Sequence, residues 1–161
     1  METKNRKVAR AAFGGLCAAL DRRGWNYTKF PDELRVTFSV EAEDNPVPMQ
    51  FGIMAEEGPM RFIAVSTLPF NVQTSEEVAA MVLAVCMATN KLQHGSFKFD
   101  VDSNTTTYVM TSTFGESQLG EGYFERIIDT PCDEVSSVNK ELFALAKGIM
   151  DIVEFLQFIN E

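Results

Sequence analysis

Apolar residues near the start of the chain recur with a helical period. Phe13, Leu16, Cys17 and Leu20 stand at i, i+3, i+4 and i+7, the stripe of an amphipathic helix. The spacing predicts a helix over residues 4–23, stopped by Gly24 in the position just past a helix end. The period then changes to two. Leu34, Val36, Phe38, Val40 and Ala42 alternate with Arg35, Thr37, Ser39 and Glu41, which predicts a strand with one buried and one wet face. A shorter strand over residues 25–30 precedes it, joined through Pro31-Asp32-Glu33. Asn45-Pro46-Val47-Pro48 interrupts the pattern. Residues 49–55 and 60–68 then predict two strands around the turn Glu56-Glu57-Gly58-Pro59. The run Phe62-Ile63-Ala64-Val65 is apolar throughout, so its strand is expected to be central and covered on both faces.

Thr74-Ser75-Glu76-Glu77 is a capping box, with acid beside the positive end of the helix dipole. The helix that follows carries Val78, Val82, Val85, Thr89 and Leu92 on one face, flanked by Met81 and Ala88, and His94-Gly95 ends it. Phe97, Phe99 and Val101 alternate with polar residues. A turn at Ser103-Asn104 leads to Tyr108, Met110, Ser112 and Phe114, so a hairpin is expected. Gly115, Gly120 and Gly122 mark a loop, and a helix over residues 119–129 follows. Thr130 then reads as the cap of another helix, with Pro131 at its first position. The order is α-ββββ-α-ββ-α-α. It contains no alternating βαβ units, so the expected fold class is α+β: an antiparallel sheet of five to six strands with helices packed on one face. Length suits one domain over residues 1–161, with a core over 4–130 and a long C-terminal helix over 131–160.

Charge narrows the partners. Fourteen basic and 23 acidic residues give a net charge of −9, a balance that repels phosphate backbones and excludes nucleic acid as the expected partner. The first 23 residues carry +4 and the remaining 138 carry −13. Lys4, Arg6, Lys7 and Arg10 before residues 11–20 look faintly like a secretory leader, but Asp21-Arg22-Arg23 follows and no A-x-A site is present. No apolar run reaches the ~18 residues of a membrane span. Cys17, Cys86 and Cys132 are odd in number and far apart, which argues against a disulfide framework and for a reduced, cytoplasmic chain in which the thiols pack as small hydrophobes. Cys132 stands out, since a helix start at Pro131 would favour its thiolate, against the nearby Asp129, Asp133 and Glu134.

No chemical motif is complete. Asp100-x-Asp102-x-Asn104 opens like a calcium loop, but Thr105 and Thr111 stand where Gly and the bidentate Glu are needed. Gly115-Glu116-Ser117-Gln118-Leu119 misses the nucleophile elbow at its last position, and His94 is the only possible base. No phosphate-binding loop or dinucleotide fingerprint exists. The expectation is therefore no enzyme: no catalytic residue, no cofactor and no metal.

Ala19-Leu20-Asp21-Arg22-Arg23-Gly24-Trp25-Asn26-Tyr27, then Leu68-Pro69-Phe70 leading into Glu76-Glu77-Val78, Asn90, residues 95–102 with their hairpin partner, and a long closing helix follow one another along the chain. On these pieces the chain resembles the YbjN family of small bacterial proteins and, more distantly, the type III secretion chaperone fold. The resemblance spans about residues 16–130, and the order of the pieces carries it. Members of that family are described as sensory-transduction regulators. The resemblance implies a fold and a binding role, and it supplies no catalytic residues.

The C-terminus points to assembly. Val135, Val138, Leu142, Leu145, Ile149, Ile152, Leu156 and Ile159 are spaced alternately by three and four, a heptad seam. After Gly148 eight of 13 residues are apolar, and a helix apolar around most of its circumference needs cover on more than one side. Met150, Val153, Phe155, Leu156, Phe158 and Ile159 are therefore the expected interface with a partner, most simply a second copy of the chain. Two function classes follow. One is a non-enzymatic binding module of chaperone-like fold, a homodimer holding a peptide or protein partner and staying off the membrane. The alternative is a small-molecule enzyme or ligand-binding protein with a site assembled from scattered residues.

Overall fold

A computed structural model describes residues 4–41, 46–55, 59–115 and 119–161. Helix α1 spans Lys4–Arg22 and buries Phe13, Leu16, Cys17 and Leu20, the stripe read from the spacing. Gly24 follows at φ +67, a left-handed conformation that favours glycine. Strand β1 is short, Thr28–Phe30, and a 3₁₀ turn over Pro31–Glu33 leads into β2, Arg35–Val40. Strands β3 (Val47–Met54) and β4 (Arg61–Pro69) complete the first run. Helix α2 spans Ser75–Lys91, and then β5 (Ser96–Asp100) and β6 (Thr105–Thr113) form the expected hairpin. Residues 56–58 of the turn after β3 lie outside the described residues.

The six strands form one sheet in the order β1-β2-β3-β4-β6-β5, antiparallel throughout. Its core face is built from alternate positions: Val36 and Phe38, Met49 and Phe51, Phe62, Ala64 and Leu68, and Tyr108 and Met110 are all buried. Rings on neighbouring strands meet edge to face, Phe38 on Phe51 at 4.8 Å and Phe51 on Phe62 at 5.2 Å, an arrangement that adds to their burial. β4 is central, between β3 and β6. It is not covered on both faces: Ile63 and Val65 are only half-buried and Thr67 is exposed. The helices pack on the other side, and the β-branched Ile63 and Val65 fit a pleated surface without a second layer.

The C-terminal third differs from the expectation. There is no helix boundary at Thr130-Pro131. One helix, α3, runs Glu121–Ala146 with Pro131 inside it. An internal proline loses one backbone bond and crowds the carbonyl four residues back, at about 3 kcal/mol in an exposed helix. Here Ile127, Ile128, Pro131, Cys132 and Val135 are buried together, and that packing offsets the loss. The helix stops instead at Gly148, φ +68. The N–H of Gly148 bonds to the carbonyl of Leu145 and that of Ile149 to Ala144, the paired bonds of a Schellman end. A separate helix, α4, then spans Ile152–Asn160 under its own capping box, Asp151 with Glu154. The long helix over 131–160 is therefore two helices, and the heptad seam is cut at its middle: Val135, Val138 and Leu142 are buried while Ile149 is 75% exposed.

Candidate functional site

The first surface to place is the one expected at the C-terminus. Phe155 has no exposure and Ile159 has 5%, both within the single chain. α4 folds back so that Phe158 lies under the Lys91 ammonium at the end of α2, 5.6 Å away, and against Phe155. The chain thus covers Phe155 and Ile159 itself, because the break at Gly148 lets α4 turn onto its own domain. Met150, Leu156 and Phe158 are half-buried, and Val153 remains 59% exposed.

A more continuous apolar surface lies on α2. The buried positions are Met81, Ala84, Val85 and Ala88, so the inward face is rotated from the one expected through Val78, Val82 and Leu92. Val82 and Leu83 point outward, 45% and 44% exposed, and Ala79 and Cys86 are exposed with them. These four stand at i, i+3, i+4 and i+7, a second stripe on the far side of the same helix. The sequence carried the signal: residues 78–88 contain no charged side chain, and such a helix needs cover all round.

The sheet leaves its other face open. Register places Thr28, Thr37, Gln50, Val65, Val109 and Ser96 in one row across all six strands. This face is mostly hydroxyl and small β-branched side chains. Arg35 stacks on Phe30 at its edge, 3.9 Å from the ring, and pairs with Glu33 at 2.8 Å.

Of the positions singled out for chemistry, Asp100 serves the fold. The Asp100 carboxylate accepts from the N–H groups of Asp102 and Ser103, at 2.9 and 3.3 Å, and so closes the β5–β6 turn. Cys132 is buried well inside α3. Burial, with Asp133 beside it, pushes its thiol up to about 12, so it is a neutral thiol. Cys86 is exposed rather than packed. Residues 116–118 of the incomplete nucleophile elbow lie outside the described residues. His94 sits exposed at a bend, its Nδ1 3.4 Å from Glu134.

Glu134 itself was missed. Its Oε1 accepts from the N–H groups of Gln93 and His94, at 3.1 and 2.9 Å, and its Oε2 from the Gly95 N–H at 2.9 Å and the Tyr108 hydroxyl at 2.6 Å. Burial opposes its ionisation, but the Tyr108 bond and the three N–H groups outweigh it and hold the carboxyl below the usual carboxylate range. Burial, then the bond to Glu134, pushes the Tyr108 phenol far up.

With this geometry in place, comparison identifies the architecture. The chain is similar in fold to a chain in the crystal structure of the ExsC–ExsE complex. The match has a TM-score of 0.59 and 13% identity, and it covers 83% of this chain and 95% of that one. The α+β fold expected from the order of elements, secretion-chaperone-like as the resemblance implied, is the fold observed. No family model matches the chain, and no curated protein matches it. Among the described residues, no helix is long and apolar enough to cross a membrane.

Proposed function

We propose that the chain is a non-enzymatic, protein-binding regulatory module, YbjN-like in its family and secretion-chaperone-like in its fold, that works as a cytoplasmic homodimer holding a peptide or protein segment. The exposed stripe Ala79-Val82-Leu83-Cys86 on α2 carries the reading. A contiguous apolar strip on a chain of net charge −9 is what soluble monomers seldom leave bare. A two-fold axis through it pairs the strip with itself, and the small Ala79 and Cys86 let the two helices approach closely. Met150, Val153, Leu156 and Phe158 form the second candidate patch. The fold likeness supports a protein partner, since the similar chain belongs to a complex of two proteins. Sedimentation equilibrium tests the assembly: the intact chain is expected at twice 18.0 kDa, and Leu83→Glu at the monomer mass. An intact chain that stays monomeric throughout the micromolar range removes the homodimer. The partner is sought by recovering proteins bound to the intact chain in its native lysate, and their loss with Leu83→Glu ties them to this surface.

A further inference from the structure

β5 is shorter than the strand it pairs with, and the difference opens a cleft. The β5–β6 ladder runs from Asp100↔Thr105 to Ser96↔Val109, while β4 stays paired with β6 as far as Thr113. Upstream of Ser96 the backbone turns away, held by Glu134 through the N–H groups of residues 93–95. Where β5 would continue lies a cleft of about 310 Å³, lined among others by His94, Thr111, Ser112, Arg126, Ile127 and Thr130.

Alternation fixes what the backbone presents there. The Thr89 hydroxyl accepts from the Phe97 N–H at 2.9 Å and donates to the Phe97 carbonyl at 3.2 Å. Phe97 therefore turns its backbone groups away from β6, and the ladder bonds of β5 fall at Ser96, Lys98 and Asp100. On β6 their partners are Val109, Thr107 and Thr105. The N–H of Phe114 bonds instead to Met60, on the β4 side. The same alternation aims the N–H and carbonyl of Thr111 into the cleft, where β5 no longer meets them. Arg126 is exposed and makes no ion pair with any described residue, in a chain with 23 acids and 14 basic residues. His94 lines the same cleft. None of the described residues that line the cleft is acidic, and Glu134, which holds residues 93–95 from behind, has both oxygens taken by four donors.

We propose that this cleft captures the free C-terminal end of a partner polypeptide, an inference that rests on the protein-binding reading. A strand antiparallel to β6 in the line of β5 runs toward Gly95-Ser96 and is blocked there, so the incoming chain must end. Its backbone extends the sheet beside Thr111, and its terminal carboxylate meets the Arg126 guanidinium, with His94 close by.

The test uses a fluorescein-labelled hexapeptide of alternating Val and Thr, as the free acid and as the C-terminal amide, titrated by fluorescence anisotropy. The free acid is expected to bind about tenfold or more tighter than the amide, since a charge-assisted bond is lost in the latter. Arg126→Ala is expected to bring the free acid down to the amide's affinity. Arg126 is exposed on α3, so circular dichroism of that variant should match the intact chain. Equal binding of acid and amide, insensitivity to Arg126→Ala, or no binding up to about 1 mM overturns the inference. A cleft that fails in a chain that still dimerises and still recovers its partner removes the cleft alone. A chain that neither dimerises nor recovers a partner removes the broader reading.

Discussion

Four donors converge on the Glu134 carboxylate from two other elements, the turn after α2 and strand β6. The side chain is 12% exposed, so these bonds are poorly replaced by water. Hydrogen bonds to a charged group contribute about 1.5–3 kcal/mol, and Glu134→Gln is expected to cost about 2 kcal/mol in urea unfolding. The sign with pH follows from the depressed carboxyl. Its stabilisation is fully present above the ordinary carboxylate value of 4.5 and is lost as pH falls through the lower folded value. The gap between intact chain and Glu134→Gln should therefore narrow as pH falls below 4.5; a constant gap would show that charge is not what the bonds require. Gly95 completes the arrangement, because a Cβ there would overlap the Tyr108 ring. Gly95→Ala should destabilise by about 1–3 kcal/mol, the usual cost of overpacking. None of this was legible beforehand. Glu134 is one of 23 acids, and its partners lie 26 to 41 positions away, where no local pattern reaches.

Elements were legible where their signals are local. The Thr74 box forms as written, with the Glu77 N–H donating to the Thr74 hydroxyl at 3.2 Å and the Thr74 N–H to the Glu77 carboxylate at 2.9 Å. The strands follow period two for the same reason. The C-terminal third misled because two signals conflicted. The three-four spacing continues across Gly148 as if the helix did, while Gly148 and the Asp151-x-x-Glu154 box mark an end and a start. The local signals won, since a left-handed glycine and a cap act on the backbone directly. Two variants separate the consequences. Gly148→Ala meets no neighbour, so its cost is the left-handed backbone alone, about 1–2 kcal/mol. That predicts a fall in melting temperature of about 2–8 °C. Phe155→Ala empties a site buried inside one chain and should cost about 3–5 kcal/mol. That loss should not change with protein concentration. A strong concentration dependence would return Phe155 to an interface between copies.

At the scale of the molecule, two arginines at the end of the basic N-terminal segment tie α1 to α3. Arg23, just past α1, donates to Glu125 and Asp129 of α3, and Arg22 pairs with Glu121 at 3.1 Å and Glu125 at 3.2 Å. The guanidinium of Arg23 also covers Trp25, 5.2 Å from its ring. Glu121, Glu125 and Asp129 follow one another at i+4 down one side of α3, a repulsive row without the two arginines. The sequence shows the charge asymmetry but not what answers it, because the acids come about a hundred residues later. An exposed ion pair contributes little, whereas a network around a part-buried guanidinium, with 18% of its side chain exposed, contributes more. Arg23→Ala should destabilise by about 1 kcal/mol, and hydrogen exchange should rise first in α1 rather than in the sheet. Part of the loss is electrostatic. The difference between intact chain and Arg23→Ala should therefore shrink as salt is raised from about 0.05 to about 1 M, where screening cuts the Debye length to about 3 Å. A difference untouched by salt would mean that the stem of Arg23 holds α1 by packing on Trp25, and that the acids of α3 are bystanders.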